Sequence, residues 1–329
     1  MHVVVTGAGG FVGAALVRRL LEEGIPGAAP LTRLSLIDRH FAAPPACAAA
    51  AVAQEVARAA RPLVRLLTGD FGAAGVLDEV FSPPVDVLFH LASVPGGQAE
   101  REFALGYDVN LLAPLKLFER AAAQANVPRV VYASSIAVYG SVLPDPIDDG
   151  TPARPGMSYG AHKLVGEIVL ADLSRRKLVD GVSLRLPGIV ARPGLSAGHG
   201  SAFMSAIMRA VETGSDYVCP VSPEAGCWWM SLQSCVDNLL HAAGPLDTSA
   251  LAAERAVTLP VLQHTIGEIK AALARRFGSD AVARISHAAD ATIEATFGRM
   301  PRLDDSNARR FGFAHDGTID RLIERACMT

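Results

Sequence analysis

The stretch Thr6-Gly7-Ala8-Gly9-Gly10-Phe11-Val12-Gly13 follows a β-branched run at residues 2–6 and opens a segment, 11–23, with apolar residues at helical spacing. This pattern predicts a strand, a tight turn and a helix. In a phosphate-binding turn, the first glycine permits the reversal, the second lets backbone N–H groups approach a pyrophosphate, and the third lets the helix lie close to the strand. The sequence therefore predicts a dinucleotide site here.

Two carboxylates extend this prediction. Asp38 ends a second predicted strand, 34–37, at about the expected ~20 residues beyond the glycines, where it can accept hydrogen bonds from both ribose hydroxyls. It should repel a 2′-phosphate, which favours NAD over NADP, although Arg39 offers that phosphate a partner. Asp70 follows a third predicted strand and either accepts from the adenine amino group or caps a helix that starts near Phe71; the two roles are compatible.

The order of the predicted elements defines an α/β fold class, a Rossmann-type doubly wound and largely parallel sheet. Further strands are predicted at 63–67, 85–91, 129–133 and 182–186, with long helices at 98–126 and 159–176. Shorter helices follow at about 202–212, 232–241, 265–276 and 318–327. We expect an NAD-binding domain over 1–187, with a partly helical insertion at 41–62, and a mainly substrate-binding lobe over 188–329. The boundary is soft and allows the two parts to interleave.

Composition excludes several classes of protein. The chain has 329 residues, 50% of them apolar and 19% charged, which is enough to bury a core. The net charge of −3 gives no basic surface for nucleic acid or an anionic membrane, so the expected partner is a small molecule. The first residues have no signal-peptide pattern, so we expect a cytoplasmic location. Five scattered cysteines and no histidine pair at ligand spacing predict reduced, buried thiols and no metal site.

A phenol and an ammonium lie one helical turn apart, at Tyr159 and Lys163. Such a pair suits proton chemistry on a hydroxyl, because the lysine charge favours the phenolate and lowers a tyrosine pKa that is ordinarily ~10. Ser134 and Ser135 leave the end of the predicted strand 129–133, at the sheet edge where ligands bind in such folds. These residues are therefore expected to meet.

Together these segments resemble the extended short-chain dehydrogenase/reductases, the superfamily of NAD-dependent epimerases and dehydratases. The resemblance implies that Tyr159 takes the hydroxyl proton, that Ser135 hydrogen-bonds the same oxygen, that Lys163 binds the nicotinamide ribose, and that Asn110 orders a water in the proton path. It also implies a homodimer formed through helices 98–126 and 158–176. The expected cofactor contacts are Gly7, Gly10, Phe11, Val12, Gly13, Asp38, Asp70, Leu91, Ala92, Tyr159, Lys163 and Pro187.

The second half narrows the resemblance. Segment 184–194 lacks the asparagine that a sugar-nucleotide epimerase is expected to have after the sixth strand. With segments 174–181, 218–221 and 236–241, it instead resembles the D-erythronate dehydrogenases. This implies oxidation of a secondary hydroxyl of a short sugar acid, with C2 of D-erythronate giving the 2-oxo acid. The alternatives are an NAD-dependent sugar or sugar-nucleotide epimerase and a non-catalytic NAD-binding sensor, since the fold alone does not fix function.

A sugar acid needs a partner for its carboxylate, and arginine fits that planar group with two hydrogen bonds. Arg192 is the candidate clamp, or else a surface or interdomain ion-pair residue. The remaining candidate substrate contacts are Ser93, Gln98, Ser135, Tyr159 and Ser201. Trp228 and Trp229 either cover the pocket or belong to the core. His162 is expected to face solvent, and Lys177, with Arg175 and Arg176, is expected to form a solvated helix end.

Overall fold

A parallel sheet forms the centre of the molecule. The computed structural model describes residues 1–41, 62–192 and 200–327. The sheet strands are β1 (His2–Thr6), β2 (Arg33–Asp38), β3 (Leu63–Thr68), β4 (Val87–His90), β5 (Arg129–Ser135), β6 (Asp180–Leu186) and β10 (Ala256–Thr258). Their order across the sheet is β10-β6-β5-β4-β1-β2-β3, and every pair is parallel. The predicted Rossmann-type sheet is therefore confirmed.

Helices cover both faces of this sheet. They include α1 (Phe11–Glu23), α2 (Ala74–Val80), α3 (Gly96–Arg101), α4 (Phe103–Tyr107), a π-helix (Asp108–Leu112), α5 (Ala113–Ala122) and α6 (Ser158–Arg175). Alternate residues of the central strands enter different cores, so Val3 and Val5 pack with α1 while Val4 packs with α2, α5 and α6. Chain order reverses between β1 and β4, which opens a crevice at their carboxyl ends.

The prediction of a single helix over 98–126 is wrong. The chain leaves helical geometry at Glu102, where φ is −118° and ψ is 68°, and it adopts a π-helical turn before α5. Pro114 accounts for that turn, because it has no N–H to donate to the carbonyl of Asn110 four residues earlier. The N–H of Ala113 bonds to the carbonyl of Asp108, five residues earlier, rather than to the residue four earlier as in an α-helix. A kinked region of short helices results.

A smaller lobe stands over the carboxyl ends of the strands. Its strands are β7 (Gly188–Val190), β8 (Tyr217–Cys219), β9 (Gly226–Ser231), β11 (Leu262–Thr265) and β12 (Ile285–His287). The later helices are α7 (Ala202–Thr213), α8 (Leu232–Ala243), α9 (Ile266–Phe277), α10 (Ser279–Ala283), α11 (Ala291–Phe297), α12 (Ser306–Arg310) and α13 (Ile319–Ala326). Apart from 98–126, the quoted sequence predictions within the described residues agree with these elements to within two residues at either end.

Part of the second half returns to the sheet. Strand β10 pairs with β6, and α8 packs against α1 within the core of the first half. The division of the chain at residue 187 stays a prediction. The helix predicted within the 41–62 insertion lies outside the described residues. Among the described helices, none has both the length and the apolar character needed to cross a membrane.

Candidate active site

A cavity of about 980 Å³ lies at the carboxyl ends of β1, β4, β5 and β6, beneath the smaller lobe. It brings together nearly all of the predicted site residues. Those lining it are Gly7, Gly10, Phe11, Val12, Gly13, Asp38, Leu91, Ala92, Ser93, Gln98, Ser135, Tyr159, Lys163, Pro187, Arg192 and Ser201. Asp70 and Asn110 are not among its lining residues.

The glycine turn is shaped by two steric limits. Gly7 has a φ of +72°, and a Cβ there would lie 2.7 Å from the backbone nitrogen of Ala92. A Cβ on Gly13 would lie 2.0 Å from the carbonyl oxygen of Gly7, so only glycine lets α1 lie this close to the turn. The close approach of helix and strand predicted from the glycine spacing is confirmed.

The surroundings of this turn fit a dinucleotide. Among the described residues, no side chain caps the start of α1, which leaves its first N–H groups available to an anion. The Asp38 carboxylate lies beside the turn, where it accepts hydrogen bonds from the N–H groups of Gly9 at 2.9 Å and His40 at 3.3 Å. The N-terminus of α1 and the Asp38 carboxylate therefore border one cavity, as a dinucleotide site would require.

Asp70 does not cap a helix. Its carboxylate accepts a hydrogen bond from the N–H of Gly72 at 2.9 Å, and α2 begins only at Ala74. The helix-cap prediction is wrong, because the carboxylate closes a local turn two residues on and the helix starts beyond its reach. Its contact with adenine stays a prediction.

The catalytic candidates meet at the end of β5. Helix α6 carries Tyr159 and Lys163, and the Lys163 ammonium donates a hydrogen bond to the carbonyl oxygen of Ala133 at 2.7 Å. The same ammonium lies 5.6 Å from the centre of the Tyr159 ring. The Ser93 and Ser135 hydroxyls lie near the Tyr159 hydroxyl and act to lower its pKa. The phenol, the ammonium and both serines thus share one wall of the cavity.

Burial dominates the acid–base properties of this pair. It raises the pKa of Tyr159 above its ordinary value, against the lowering effects of Ser93, Ser135 and the Arg192 charge. It also lowers the pKa of Lys163 to about 7, against the raising effect of the Glu167 carboxylate. The sequence prediction that Lys163 lowers the Tyr159 pKa is therefore wrong for this arrangement, because removal from water outweighs the polar neighbours of the phenol.

Asn110 lies behind the cavity wall. Its amide oxygen accepts from the N–H of Val94 at 2.8 Å, and its amide nitrogen donates to the carbonyl of Val94 at 3.0 Å. This pair of hydrogen bonds fixes the loop that follows β4 and carries Ser93. A role for Asn110 in ordering a water stays a prediction.

The substrate candidates surround the phenol from the lobe side. The Arg192 guanidinium lies 5.4 Å from the centre of the Phe11 ring, and its charge acts on Tyr159. The backbone N–H of Arg192 donates to the Ser205 hydroxyl at 3.0 Å. Gln98 donates to Glu102 at 3.1 Å, and Ser201 directly precedes α7. These residues therefore offer the Arg192 cation and several polar groups to an anionic ligand.

Sequence reasoning missed a buried polar network beneath this wall. Glu167 accepts hydrogen bonds from Arg185, the shortest at 2.8 Å, and from the hydroxyl of Ser134. Arg185 also donates to the Tyr139 hydroxyl at 2.9 Å. The available signal was Glu167 four residues after Lys163, which continues the stripe from Tyr159 along α6.

The structure also tests the predictions for His162, for the two tryptophans and for Lys177. His162 is buried and packs edge-on against the Tyr107 ring, so the prediction that it faces solvent is wrong. Its position three residues after Tyr159 places it about 60° from the buried stripe, next to α4. Trp228 and Trp229 are both buried core residues, although Trp228 also borders the cavity. Lys177 is exposed just beyond α6, as predicted.

Cysteines and metal-ligating groups add no second centre in the described parts of the chain. Cys219, Cys227, Cys235 and Cys327 are free thiols, and burial raises the pKa of Cys227 and of Cys235 to about 12. The reduced thiols predicted from the sequence are confirmed for these four, whereas Cys47 lies outside the described residues. Within the same ranges, no three His, Cys, Asp or Glu side chains cluster in a way that could hold a metal ion.

The comparisons with known proteins agree with this geometry. The model of the NAD dependent epimerase/dehydratase family matches residues 3–223, and the chain belongs to that family. It is 37% identical to the D-erythronate dehydrogenase of Cupriavidus necator over 98% of this chain and 97% of the relative. The D-erythronate dehydrogenase of Haemophilus influenzae is 32% identical over 99% of this chain and 98% of the relative. The predicted resemblance to this group is confirmed.

One solved structure is similar over the whole fold. The crystal structure of a nucleoside-diphosphate-sugar epimerase from Agrobacterium tumefaciens matches with a TM-score of 0.87 and 33% identity, covering 98% of this chain and 92% of that chain. Central sheet and smaller lobe thus both have a counterpart in that structure.

The buried Lys163 should make stability depend on pH. Its pKa is about 7 in the folded protein against 10.5 for the free side chain, so between these values the unfolded chain binds the extra proton. The free energy of unfolding of the wild type should therefore rise relative to Lys163→Met, by up to about 1.4 kcal/mol per pH unit above pH 7. Urea unfolding from pH 6 to 10 measures this difference.

The matched control is Lys116→Met on α5, where the lysine is exposed. A plot of its free energy of unfolding against pH should run parallel to that of the wild type. A Lys163→Met plot that is also parallel would contradict the lowered pKa of Lys163.

Proposed function

We propose that this protein is an NAD-dependent dehydrogenase that oxidises a secondary hydroxyl of a short sugar acid, with C2 of D-erythronate as the favoured position. The observation that carries the proposal is the Tyr159 hydroxyl, held beside Ser93, Ser135 and the Arg192 charge in the cavity that the glycine turn borders. The two D-erythronate dehydrogenases, similar over almost their whole length, support the same substrate class.

The residues divide the work of such a reaction. Bound NAD supplies the hydride acceptor. Tyr159 takes the proton of the reacting hydroxyl, and Ser135 hydrogen-bonds the same oxygen. As a base, Tyr159 must be ionised, and the charge of Arg192 together with the two serine hydroxyls favours that form. Lys163 would bind the ribose next to the nicotinamide, and Leu91, Ala92 and Pro187 line the same cavity as candidate cofactor contacts.

NAD is preferred over NADP because of one carboxylate. Asp38 lies at the glycine turn, where it would accept from ribose hydroxyls and repel a 2′-phosphate. Arg39 also lines the cavity and is the side chain that could offset this repulsion. A 2.9 Å hydrogen bond from the N–H of Gly9 holds the Asp38 carboxylate at the turn. We therefore expect its repulsion of a 2′-phosphate to outweigh the attraction of Arg39.

An epimerase is the second candidate, since the similar Agrobacterium tumefaciens structure carries that description. The same tyrosine and lysine would act, but the nicotinamide would return the hydride and no reduced cofactor would accumulate. A non-catalytic NAD sensor would also keep the glycine turn, and it is disfavoured because a sensor has no need of the phenol and serine beside it.

The first experiment is a screen for NADH formation. Purified protein is mixed with NAD or NADP and with erythronate, threonate or a uronic acid. We expect absorbance at the NADH band to grow with turnover on erythronate, and to grow at least about tenfold more slowly with NADP, because like charges at Asp38 oppose its phosphate. Initial rates for each pair measure the preference.

Tyr159→Phe is the control for this screen. It should lower kcat by about 10²-fold or more while NADH affinity stays within a few-fold, since only the proton acceptor is lost. Interconversion of sugar isomers without NADH would favour the epimerase, and NAD binding without any oxidation would favour the sensor.

The carboxylate clamp gives a separate test. Arg192→Ala should raise the KM for the acid by about 10- to 100-fold and leave the KM for NAD within a few-fold, because a charge-assisted pair of hydrogen bonds is lost. Arg310→Ala is the matched control, since that arginine also stacks on a ring, Phe311 at 5.1 Å, away from the cavity. A normal KM for the acid in Arg192→Ala would remove the assignment.

We also infer a homodimer. An apolar surface on the neighbouring helices α4 and α6 exposes 60% of Phe103 and 60% of Ile168. Tyr107, Leu112 and Val165 extend it. Exposed apolar side chains on adjacent helices favour contact with a second protein, and a second copy of the same helices would bury them symmetrically.

Sedimentation velocity tests the dimer. The wild type should sediment as a dimer at micromolar concentration, and Ile168→Glu should shift it to the monomer by placing a charge in the contact. Val142→Glu, at a side chain that is 93% exposed elsewhere, should remain dimeric. A monomeric wild type would refute the inference.

A further inference from the structure

Three side chains on α6 repeat at a spacing of four: Tyr159, Lys163 and Glu167. Lys163 and Glu167 are only 2% and 3% exposed. Glu167 forms a buried ion pair with Arg185. Such a pair usually adds little stability compared with apolar residues of the same size. The carboxylate of Glu167 therefore needs an explanation other than core stability.

The partners of Glu167 belong to two strands. Arg185 donates to it from Nε at 3.1 Å and from Nη2 at 2.8 Å, so the ion pair is bidentate. The hydroxyl of Ser134 donates to the same carboxylate. Ser134 and Arg185 are register partners in the β5–β6 pair, so a single carboxylate ties α6 to both strands at one level of the sheet.

The anchored strand end carries two groups of the candidate site. Ala133, just before Ser134, offers the carbonyl that accepts from Lys163 at 2.7 Å. Ser135, just after it, lines the cavity with Tyr159 and acts to lower the pKa of that phenol. Because consecutive residues of a strand share one rigid backbone, a shift of Ser134 moves both contacts.

The network continues into the segment that follows Ser135. Arg185 donates to the Tyr139 hydroxyl at 2.9 Å, and Tyr139 shares a 2.6 Å hydrogen bond with Thr258 of β10. The turn after β5 is thereby held at both ends, by Glu167 at its start and by Arg185 at its finish.

We propose that Glu167 is a positioning residue for the Tyr159/Lys163 pair: it fixes the strand end that carries Ala133 and Ser135, and it presents a negative charge to Lys163. This rests on the dehydrogenase function proposed above. Glu167 lies one helical turn from Lys163 on the side away from Tyr159, and it acts through these neighbours.

The electrostatic surroundings define what its charge does. The groups that face the pair are His90 from β4, Tyr132 from β5, Arg185 from β6, Tyr159 and Glu167 on α6, and Arg192 after β7. Burial keeps His90 neutral by lowering its pKa. The Glu167 charge raises the pKa of Lys163 against burial. Without this charge, Lys163 would lose its proton at a lower pH.

The test uses Glu167→Gln, which keeps the shape and an acceptor for Ser134 but removes the charge. We expect kcat on the oxidised acid to fall by about 10- to 100-fold, because a small misplacement at the reacting groups is enough for such a loss. Urea unfolding of each protein with and without Lys163→Met isolates the part of the free energy of unfolding that depends on Lys163. In Glu167→Gln this part should begin to change with pH about one pH unit lower than in the wild type. This second measurement needs no substrate, so it tests Glu167 even if no acid is oxidised.

Two further variants separate positioning from stability. Asp180→Asn removes the carboxylate that joins Arg129 and Arg255 at the opposite end of β5 and β6, so it should lower the free energy of unfolding with kcat and pH onset unchanged. Ser134→Ala keeps the ion pair and should lower kcat about tenfold with the pH onset unchanged.

The outcomes divide cleanly. The proposal is overturned if Glu167→Gln behaves like Asp180→Asn, with lower stability and wild-type kcat and pH onset. If Glu167→Gln fails to fold, Ser134→Ala decides: a wild-type kcat refutes the positioning role, and a tenfold loss supports it. Glu167→Asp, which restores the charge, should recover the pH onset.

Discussion

The close packing of α6 on the end of β5 is the contact on which the site depends. A Cβ on Gly160 would lie 2.3 Å from the carbonyl oxygen of Ala137, and one on Gly166 would lie 2.7 Å from the Tyr132 hydroxyl. Side chains at these two positions would push the helix away from the sheet. The phenol and the ammonium would then leave the strand ends, however well the rest of the chain folded.

The same packing sets the chemistry. Excluding water from the contact between helix and sheet favours the neutral forms of both Tyr159 and Lys163, which moves their pKa values in opposite directions. Two of the polar neighbours that oppose this effect lie on other elements, Ser135 on β5 and Arg192 after β7, whereas Glu167 lies on the next turn of α6. The fold thus determines the acid–base behaviour of the site, because the elements that build the cavity also set the pKa values of Tyr159 and Lys163.

Much of this arrangement could be predicted from the sequence because it rests on local signals. The glycine turn, the strand ends and the Tyr159/Lys163 spacing follow from periodicity and from residue types with few alternative conformations. The break in helix 98–126 had a local signal in Pro114, but its position also depends on how Asn110 pairs with the neighbouring loop. Spacing alone was not enough for His162, whose surroundings are set by a helix distant in sequence.

The remaining part could not be predicted because its cause is non-local. Glu167 and Arg185 are ordinary charged residues until β6 pairs with β5 and brings them together. The direction of the Tyr159 pKa shift required the depth of its burial, which depends on how the lobe and the sheet enclose the cavity. Residue types give the chemistry that is available, whereas packing decides which of it is expressed.

The return of the chain to the sheet at β10 limits how the lobe can move. After β6 the backbone enters the lobe at β7, comes back through α8 and β10, and enters it again at β11. A swing of the lobe about a single hinge would require several of these crossings to bend together. The chain therefore ties the two walls of the cleft together at several points rather than at one.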